Sequence, residues 1–430
     1  MRINGIYTLF LAIATALAIV SCGEDRTYEY LEKTEENQWT YSKMKEVYLW
    51  KENIKEPARS NFFYTTAKFF NSLKYSGDKV SYFTDTISAG SYGVTFAVMR
   101  DPIGERPSKV YALALMVEPG SPADIAGIER GTWISSVGGK AFTLSKYSML
   151  QSGGNTDVVT EYIDYDDDTQ NYYWEAGDTL QMPASIVFEE RAVYLDSIYN
   201  VRSKKIGYLV LNNFDGDDFV QQTQNVLLRF AANDVDNVVL DLRYSTGGSI
   251  ANATSLASCF VPAEMYATPF ARLVNVAGEI DTTYCYSQQQ TTLSECKLYI
   301  ITGSATTGSA ELFTAALDKS RPMYDLMTIG ARTAGKNVMT KKYLSPYGFS
   351  INPATNFVAL ADSTLIPDTG IEPDYSVDEL EGVEHIYPLG SEQEYLLFNV
   401  LHLANDGMLP GEEGNASVII SRHARKAYDY

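Results

Sequence analysis

Four short apolar runs with helical stretches between them limit what this chain can become more than any other feature. Ile206-Gly207-Tyr208-Leu209-Val210-Leu211, Val238-Val239-Leu240-Asp241-Leu242-Arg243, Leu298-Tyr299-Ile300-Ile301 and residues 326–330 are each bounded by turn residues. The third run carries no polar residue at all, so it suits a strand covered on both faces. Between the runs, residues 218–232 place Phe219, Val226, Leu227 and Phe230 on one helical face, and a helix begins near Ser249. Residues 311–317 repeat the helical pattern with Leu312, Phe313, Ala316 and Leu317. Strand and helix in alternation predict an α/β core.

The turns after these runs carry the groups with chemical potential. Ser309 falls where a helix would begin, with the acidic Glu311 in its first turn, so its hydroxyl sits in the positive field of unpaired backbone N–H groups. Lys336 follows the fourth run and a glycine-containing turn, which can return it to the same strand edge. A serine needs a base, and histidine is scarce: only His385, His402 and His423 exist, none in a motif-like setting. A lysine can serve if burial lowers its pKa by about 3 units, a cost of roughly 4 kcal/mol. Ile329, Ala331, Ala334 and Val338 can supply that dry setting. Gly247-Gly248 lets bare N–H groups face a cleft, as an oxyanion hole requires. The plain alternatives are a helix N-cap at Ser309, a surface lysine at 336 and a helix-entry turn at 247–248.

At 430 residues the chain is long enough for two or three domains. Its formal net charge of −20 argues against nucleic acid or an anionic membrane surface as the main partner. Residues 27–81 read as helical and aromatic, with Trp39, Met44, Val47, Tyr48 and Leu49 at helical spacing and a second helix over 64–73. From residue 88 to 191 the period changes to short strands. Glu118-Pro119-Gly120-Ser121-Pro122-Ala123-Asp124-Ile125-Ala126-Gly127-Ile128, followed by residues 131–139, resembles a PDZ domain. That resemblance makes Tyr92-Gly93-Val94 the loop whose N–H groups capture a peptide carboxylate, with a degenerate PDZ fold as the alternative. Asp164, Asp166, Asp168 and Glu175 have calcium-loop spacing, but Thr169 stands where the turn needs glycine, so a solvated acidic hairpin is the better account and no metal is expected.

The first residues read as a leader: Arg2, an apolar run over 6–20, then Ser21-Cys22-Gly23. Ile19-Val20-Ser21-Cys22 resembles a bacterial lipobox, which makes Cys22 the lipidated residue of an exported protein anchored to the membrane rather than spanning it. A cell-envelope location follows, on the periplasmic side or the outer-membrane surface; Glu24 and Asp25 suit the sorting signals of Bacteroidetes-type lipoproteins. Three further cysteines, Cys259, Cys285 and Cys296, cannot all pair; a Cys285–Cys296 bridge is possible, and Cys259 reads as a core thiol.

Taken in order, these pieces resemble the tail-specific, C-terminal-processing serine proteases. The residues that carry the likeness are Gly207-Tyr208-Leu209 with Phe214, Asp241-Leu242-Arg243 with Gly247-Gly248, Gly303-Ser304 through Glu311-Leu312, Gly330 through Gly335-Lys336, and Gly370-Ile371-Glu372-Pro373-Asp374. The resemblance implies a crotonase/ClpP-like α/β core over 192–405, a PDZ-like domain over 88–191, a helical domain over 22–87 behind the signal peptide 1–21, and a tail over 406–430. It also implies a Ser309–Lys336 dyad, an oxyanion hole from Gly247, Gly248 and Ala310, a peptide or protein substrate, and no cofactor. The pattern departs at one point. Family members place the nucleophile three residues before the glutamate, and here that position is Gly308; either the turn is shorter and Ser309 attacks, or the nucleophile is lost. Thr340 replaces a glutamine often found four residues beyond the lysine. A protease-fold lipoprotein that binds peptides or partner proteins without turnover therefore stays open, as does, more remotely, a glycan-binding surface lipoprotein suggested by the 31 tyrosines.

Overall fold

The computed structural model describes residues 27–85, 90–188, 190–320, 325–380, 386–407 and 409. The lipobox with Cys22 lies outside the described residues, as do His385 and His423. The chain divides into two compact units.

The smaller unit joins the N-terminal helices α1 (Thr27–Val47) and α2 (Thr66–Leu73) to residues 340–355. Strand Tyr82–Asp85 pairs antiparallel with Phe349–Asn352, which pairs in turn with Tyr343–Leu344. The N-terminal helices thus share this unit with a segment that lies more than 250 residues further along the sequence. Met44, Tyr48, Phe69, Phe70 and Leu73 fill its interior. The buried Tyr48 hydroxyl donates to Asp78 (2.8 Å), whose other oxygen accepts the N–H groups of Val80 and Ser81.

The larger unit begins with a β-rich segment. Its strands β1 (Val94–Arg100), β2 (Val110–Val117), β3 (Trp133–Val137), β4 (Thr156–Asp166) and β5 (Asn171–Met182) hydrogen-bond in sequence order. A short helix α3 (Pro122–Ile125) joins β2 to β3, started by Pro122 and by Ser121, whose hydroxyl accepts the Asp124 N–H. The acidic stretch expected to be a hairpin is the β4–β5 turn: Asp166 accepts N–H groups of Asp168 and Thr169, and Asp164 accepts the Tyr173 hydroxyl.

The α/β core follows. Strands β6 (Val193–Val201), β7 (Lys204–Leu211), β8 (Asn237–Asp241), β9 (Lys297–Thr302), β10 (Leu326–Gly330) and β11 (Tyr375–Ser376) form one sheet in the order 11-10-9-8-7-6. All neighbours are parallel except the β6–β7 hairpin. Leu209, Leu211, Val238, Leu240, Leu298 and Ile300 face helices α4 (Phe219–Ala232), α5 (Ile250–Ala257) and α6 (Ser309–Lys319). Tyr208, Val210, Val239, Tyr299, Ile301 and Ile329 face α7 (Tyr395–Asp406). Both faces are covered, which is why these strands read as continuous apolar runs; each fully buried large side chain contributes about 1.5–3 kcal/mol.

A buried ion network ties the end of β8 to this frame. The Arg243 guanidinium bonds Asp241, Glu379 and Glu394, and Asp241 also accepts the Tyr208 hydroxyl (2.7 Å). Glu394 caps α7 by accepting the Leu397 N–H and meets Arg130 of the β-rich segment (3.1 Å). Burial alone would raise the Glu394 pKa, but the Arg243 and Arg130 charges bring it to about 2. Cys259, Cys285 and Cys296 are free thiols, so the possible Cys285–Cys296 bridge is not formed.

Candidate active site

In an open α/β sheet, ligands bind beyond the carboxyl ends of the strands. The candidate residues lie there: Gly247-Gly248 after β8, Ser309 after β9 and Lys336 after β10. The glycine turn is crowded. Gly248 has φ 128°, and a Cβ there would come within 2.8 Å of the Phe214 carbonyl carbon. Gly247 has φ 92° and abuts the Ser309 backbone nitrogen, which a Cβ would approach to 3.1 Å. Phe214 N–H donates to Gly247 O (2.7 Å) and Ser249 N–H to Phe214 O, fixing the turn while leaving the N–H groups of Gly247 and Gly248 without an acceptor among the described residues.

Beyond β9, the Thr306 side chain pins the loop: its hydroxyl donates to Leu242 O (2.7 Å) and accepts the Gly303 N–H (2.8 Å). The chain then passes through Gly308 at φ 60°, ψ −120° into α6. That sharp turn between strand and helix has the character of a nucleophile elbow, in which the N–H of the following residue serves the oxyanion. The backbone here separates two neighbouring N–H groups. Ala310 N–H is turned to Thr307 O (3.3 Å), whereas Ser309 N–H has no acceptor among the described residues and lies beside Gly247. Sequence spacing could not separate the two, because the difference depends on the backbone angles at Gly308.

Ser309 is buried and its hydroxyl donates to Gly248 O at 2.5 Å. The predicted serine and the predicted glycine turn therefore meet. No hydrogen bond joins Ser309 Oγ to Lys336 among the described residues. Lys336 is half-buried, and burial holds its pKa below the ordinary lysine value, with the nearby Glu311 carboxylate opposing that shift.

Glu311 is what gathers the site. Fully buried, it accepts from Gly308 N–H (3.2 Å) at the helix start and from the Thr333 hydroxyl (2.6 Å), Gly335 N–H (2.5 Å) and Lys336 N–H (2.8 Å) on the lysine loop. One oxygen, Oε2, serves both Gly308 and Lys336. The loop is braced from the other side by Ile371, whose N–H donates to the Thr333 hydroxyl (2.8 Å). Sequence reasoning placed Glu311 in the first helical turn but missed Thr333 and the reach across to Lys336, for which no local signal exists.

The loop at Tyr92-Gly93-Val94 is present at the head of β1, with the N–H groups of Tyr92 and Gly93 engaged. Tyr92 N–H donates to Gln151 O (3.0 Å) and Gly93 N–H to the Ser91 hydroxyl (2.9 Å), while the buried Tyr92 hydroxyl reaches Gly154 O. A peptide end that takes the Gly93 N–H displaces its bond to the Ser91 hydroxyl.

Comparison with known proteins adds the family. The sequence profile described as peptidase family S41 matches residues 205–377, and that of the peptidase S41 N-terminal domain matches residues 35–82. A carboxyl-terminal-processing protease of Picosynechococcus is 25% identical over 235 residues, 54% of this chain and 52% of the relative. A CtpA-like serine protease of Staphylococcus aureus is 22% identical over 265 residues, 60% of this chain and 48% of the relative. The chain thus spans about half the length of the curated relatives it matches. The crystal structure of an S41 protease from Bacteroides fragilis superposes with a TM-score of 0.72 at 26% identity, covering 85% of this chain and 96% of that one. The photosystem II D1 C-terminal processing protease shares the fold, with a TM-score of 0.51 at 18% identity over 80% of this chain and 93% of that one.

Proposed function

We propose that this chain, which belongs to peptidase family S41, is a serine-type endopeptidase of the C-terminal-processing kind acting through Ser309 and Lys336. The observation that carries this reading is the buried Glu311 carboxylate, which holds the lysine loop and the helix start on the same oxygen. Uncharged Lys336 takes the Ser309 proton as the hydroxyl attacks the scissile carbonyl, and later returns it to the leaving amine. The N–H groups of Gly247, Gly248 and Ser309 stabilise the oxyanion, usually the largest single contribution to such rates. Water then hydrolyses the acyl ester. The Ser309 hydroxyl has to rotate off Gly248 O when substrate enters, a change of the kind that separates free from substrate-bound sites.

In this reading the β-rich segment serves as a PDZ module that holds an extended peptide by its C-terminus at residues 92–94, and Cys22 carries the lipid that fixes the protein to the cell envelope. Its partners are peptide or protein substrates and the membrane, not nucleic acid. Labelling of the full chain with a fluorophosphonate probe tests the chemistry: the wild type should react, Ser309→Ala and Lys336→Ala should not. An unreactive wild type, or label persisting in Ser309→Ala, overturns it.

One observation favours a second reading. The backbone bend of an elbow falls on Gly308, and the neighbouring hydroxyl is bonded to a carbonyl rather than to the lysine. A protein built so binds peptides in an S41 cleft without cleaving them.

A further inference from the structure

Phe214 and Gly248 lie side by side in a parallel bridge, held by the Phe214 N–H on Gly247 O and by the Asn252 side-chain amide on Phe214 O (2.8 Å). Phe214 is fully buried against Phe219 and Phe313, so the backbone that follows it has a fixed place. Next comes Asp215, whose N–H donates to Asn213 Oδ1 (2.9 Å). Its side chain leans on the glycine turn: a Cβ at Gly248 would lie 2.9 Å from the Asp215 carboxyl carbon. A carbon–carbon bond adds about 1.5 Å, which sets that carboxyl within about 4.5 Å of the Gly248 Cα. The Ser309 hydroxyl reaches the same residue through Gly248 O.

The Asp215 carboxyl enters no ion pair among the described residues, and its loop, Asp215-Gly216-Asp217-Asp218, carries three acids and no lysine or arginine. Crowding by the turn raises its pKa above the ordinary aspartate value, with the Ser249 N–H opposing. Ionised, it stands beside the N–H groups assigned to the oxyanion and opposes the negative charge that hydrolysis places there. A positive charge on the substrate removes that opposition, and the Asp215 side chain is open to solvent where such a group can reach it.

We propose that Asp215 is a specificity-determining residue, selecting substrates that carry lysine or arginine at the residue whose carbonyl is attacked. The proposal rests on the reading of the glycine turn as the oxyanion site. The chain's net charge of −20 works in the same direction, since it draws cationic segments toward the protein.

Two peptide phosphonates test this on the full chain, because each phosphonylates an attacking serine. One presents a lysine side chain at the attacked residue, and the other presents norleucine, which lacks only the amine. At pH 8 and low salt the wild type should label about tenfold faster with the lysine probe, the gain of one charged hydrogen bond, and the ratio should shrink in high salt. In Asp215→Asn the ratio should approach one. The norleucine probe should then label faster than it labels the wild type, because the opposing anion is gone. Equal rates on the wild type, a lysine preference that survives in Asp215→Asn, or an Asp215→Asn slowed alike with both probes overturns the proposal. The wild-type comparison decides the matter even if Asp215→Asn fails to fold. Should the wild type react with neither phosphonate, the same two side chains are compared in unreactive peptides: tighter binding of the lysine peptide upholds the preference, and equal binding overturns it. Failure of the fluorophosphonate probe as well removes the hydrolytic reading and leaves that comparison intact.

Discussion

Ser309→Ala removes the 2.5 Å bond to Gly248 O, a net loss of about 1 kcal/mol for a hydrogen bond of this kind. Gly308→Ser places a side chain at φ 60°, ψ −120°, a region that costs non-glycine residues about 1–3 kcal/mol. Space is not the obstacle, because a Cβ at 308 meets only Gly247 Cα, at an ordinary 3.5 Å. Reduced freedom of the unfolded chain returns about 0.4–1 kcal/mol, so Gly308→Ser should fold with a net loss of roughly 1–2 kcal/mol. Both variants are thus accessible to chemical denaturation and to fluorophosphonate labelling followed by peptide mapping. If Ser309 attacks, the wild type labels at 309, Ser309→Ala does not, and Gly308→Ser labels more slowly because its new side chain leans on the oxyanion turn. Label that appears only in Gly308→Ser, and maps to position 308, would refute the dyad and identify Gly308 as an emptied nucleophile seat.

The remaining tests probe the charges around that hydroxyl. The labelling rate of the wild type should climb with pH as Lys336 loses its proton and level off below the ordinary lysine pKa of about 10.4, since burial lowers the folded-state value; a limb at or above that pKa contradicts a buried base. Glu311→Gln should destabilise the core by about 2–4 kcal/mol in urea unfolding, because the four donors it gathers lose a charged acceptor. Losing that negative charge also removes the influence opposing the Lys336 shift, so any residual labelling limb should move to lower pH, and a move upward counts against the arrangement. Burial, then the charge of Glu190, push the Glu118 carboxyl up to about 7 against the opposing Arg191 and Asn212, with Tyr194 nearby. Its folded-state pKa lies above the unfolded one, so stability should fall as pH rises from about 4.5 to 7 and stay low above it. Glu118→Gln should therefore be about 2–3 kcal/mol more stable than the wild type at pH 8 and nearly equal at pH 4.5, and a constant difference across that range refutes the assignment.

How much of this site the residues disclosed by themselves follows from how local each interaction is. The core strands were legible because burial on both faces leaves no polar alternation, and Leu298 to Ile301 show it with four apolar residues in a row. The start of α6 was legible because Ser309 and Glu311 sit in one helical turn, and Gly247-Gly248 because a close approach to Phe214 tolerates no Cβ. What escaped were pairings that cost loop closure and leave no mark nearby: Phe349–Asn352 returning to Tyr82–Asp85, Glu394 closing on Arg243, and Glu311 reaching Thr333 and Gly335. Which N–H is left over at the start of α6 escaped for a different reason. Helical spacing tells which positions share a face, but not which N–H is left over at the entry, and that depends on the backbone bend at Gly308. The same bend sets a glycine where an elbow holds its side chain and sets the available hydroxyl one step into the helix, bonded to the turn it would have to leave, which is why Ser309→Ala and Gly308→Ser together discriminate an attacking serine from an emptied seat.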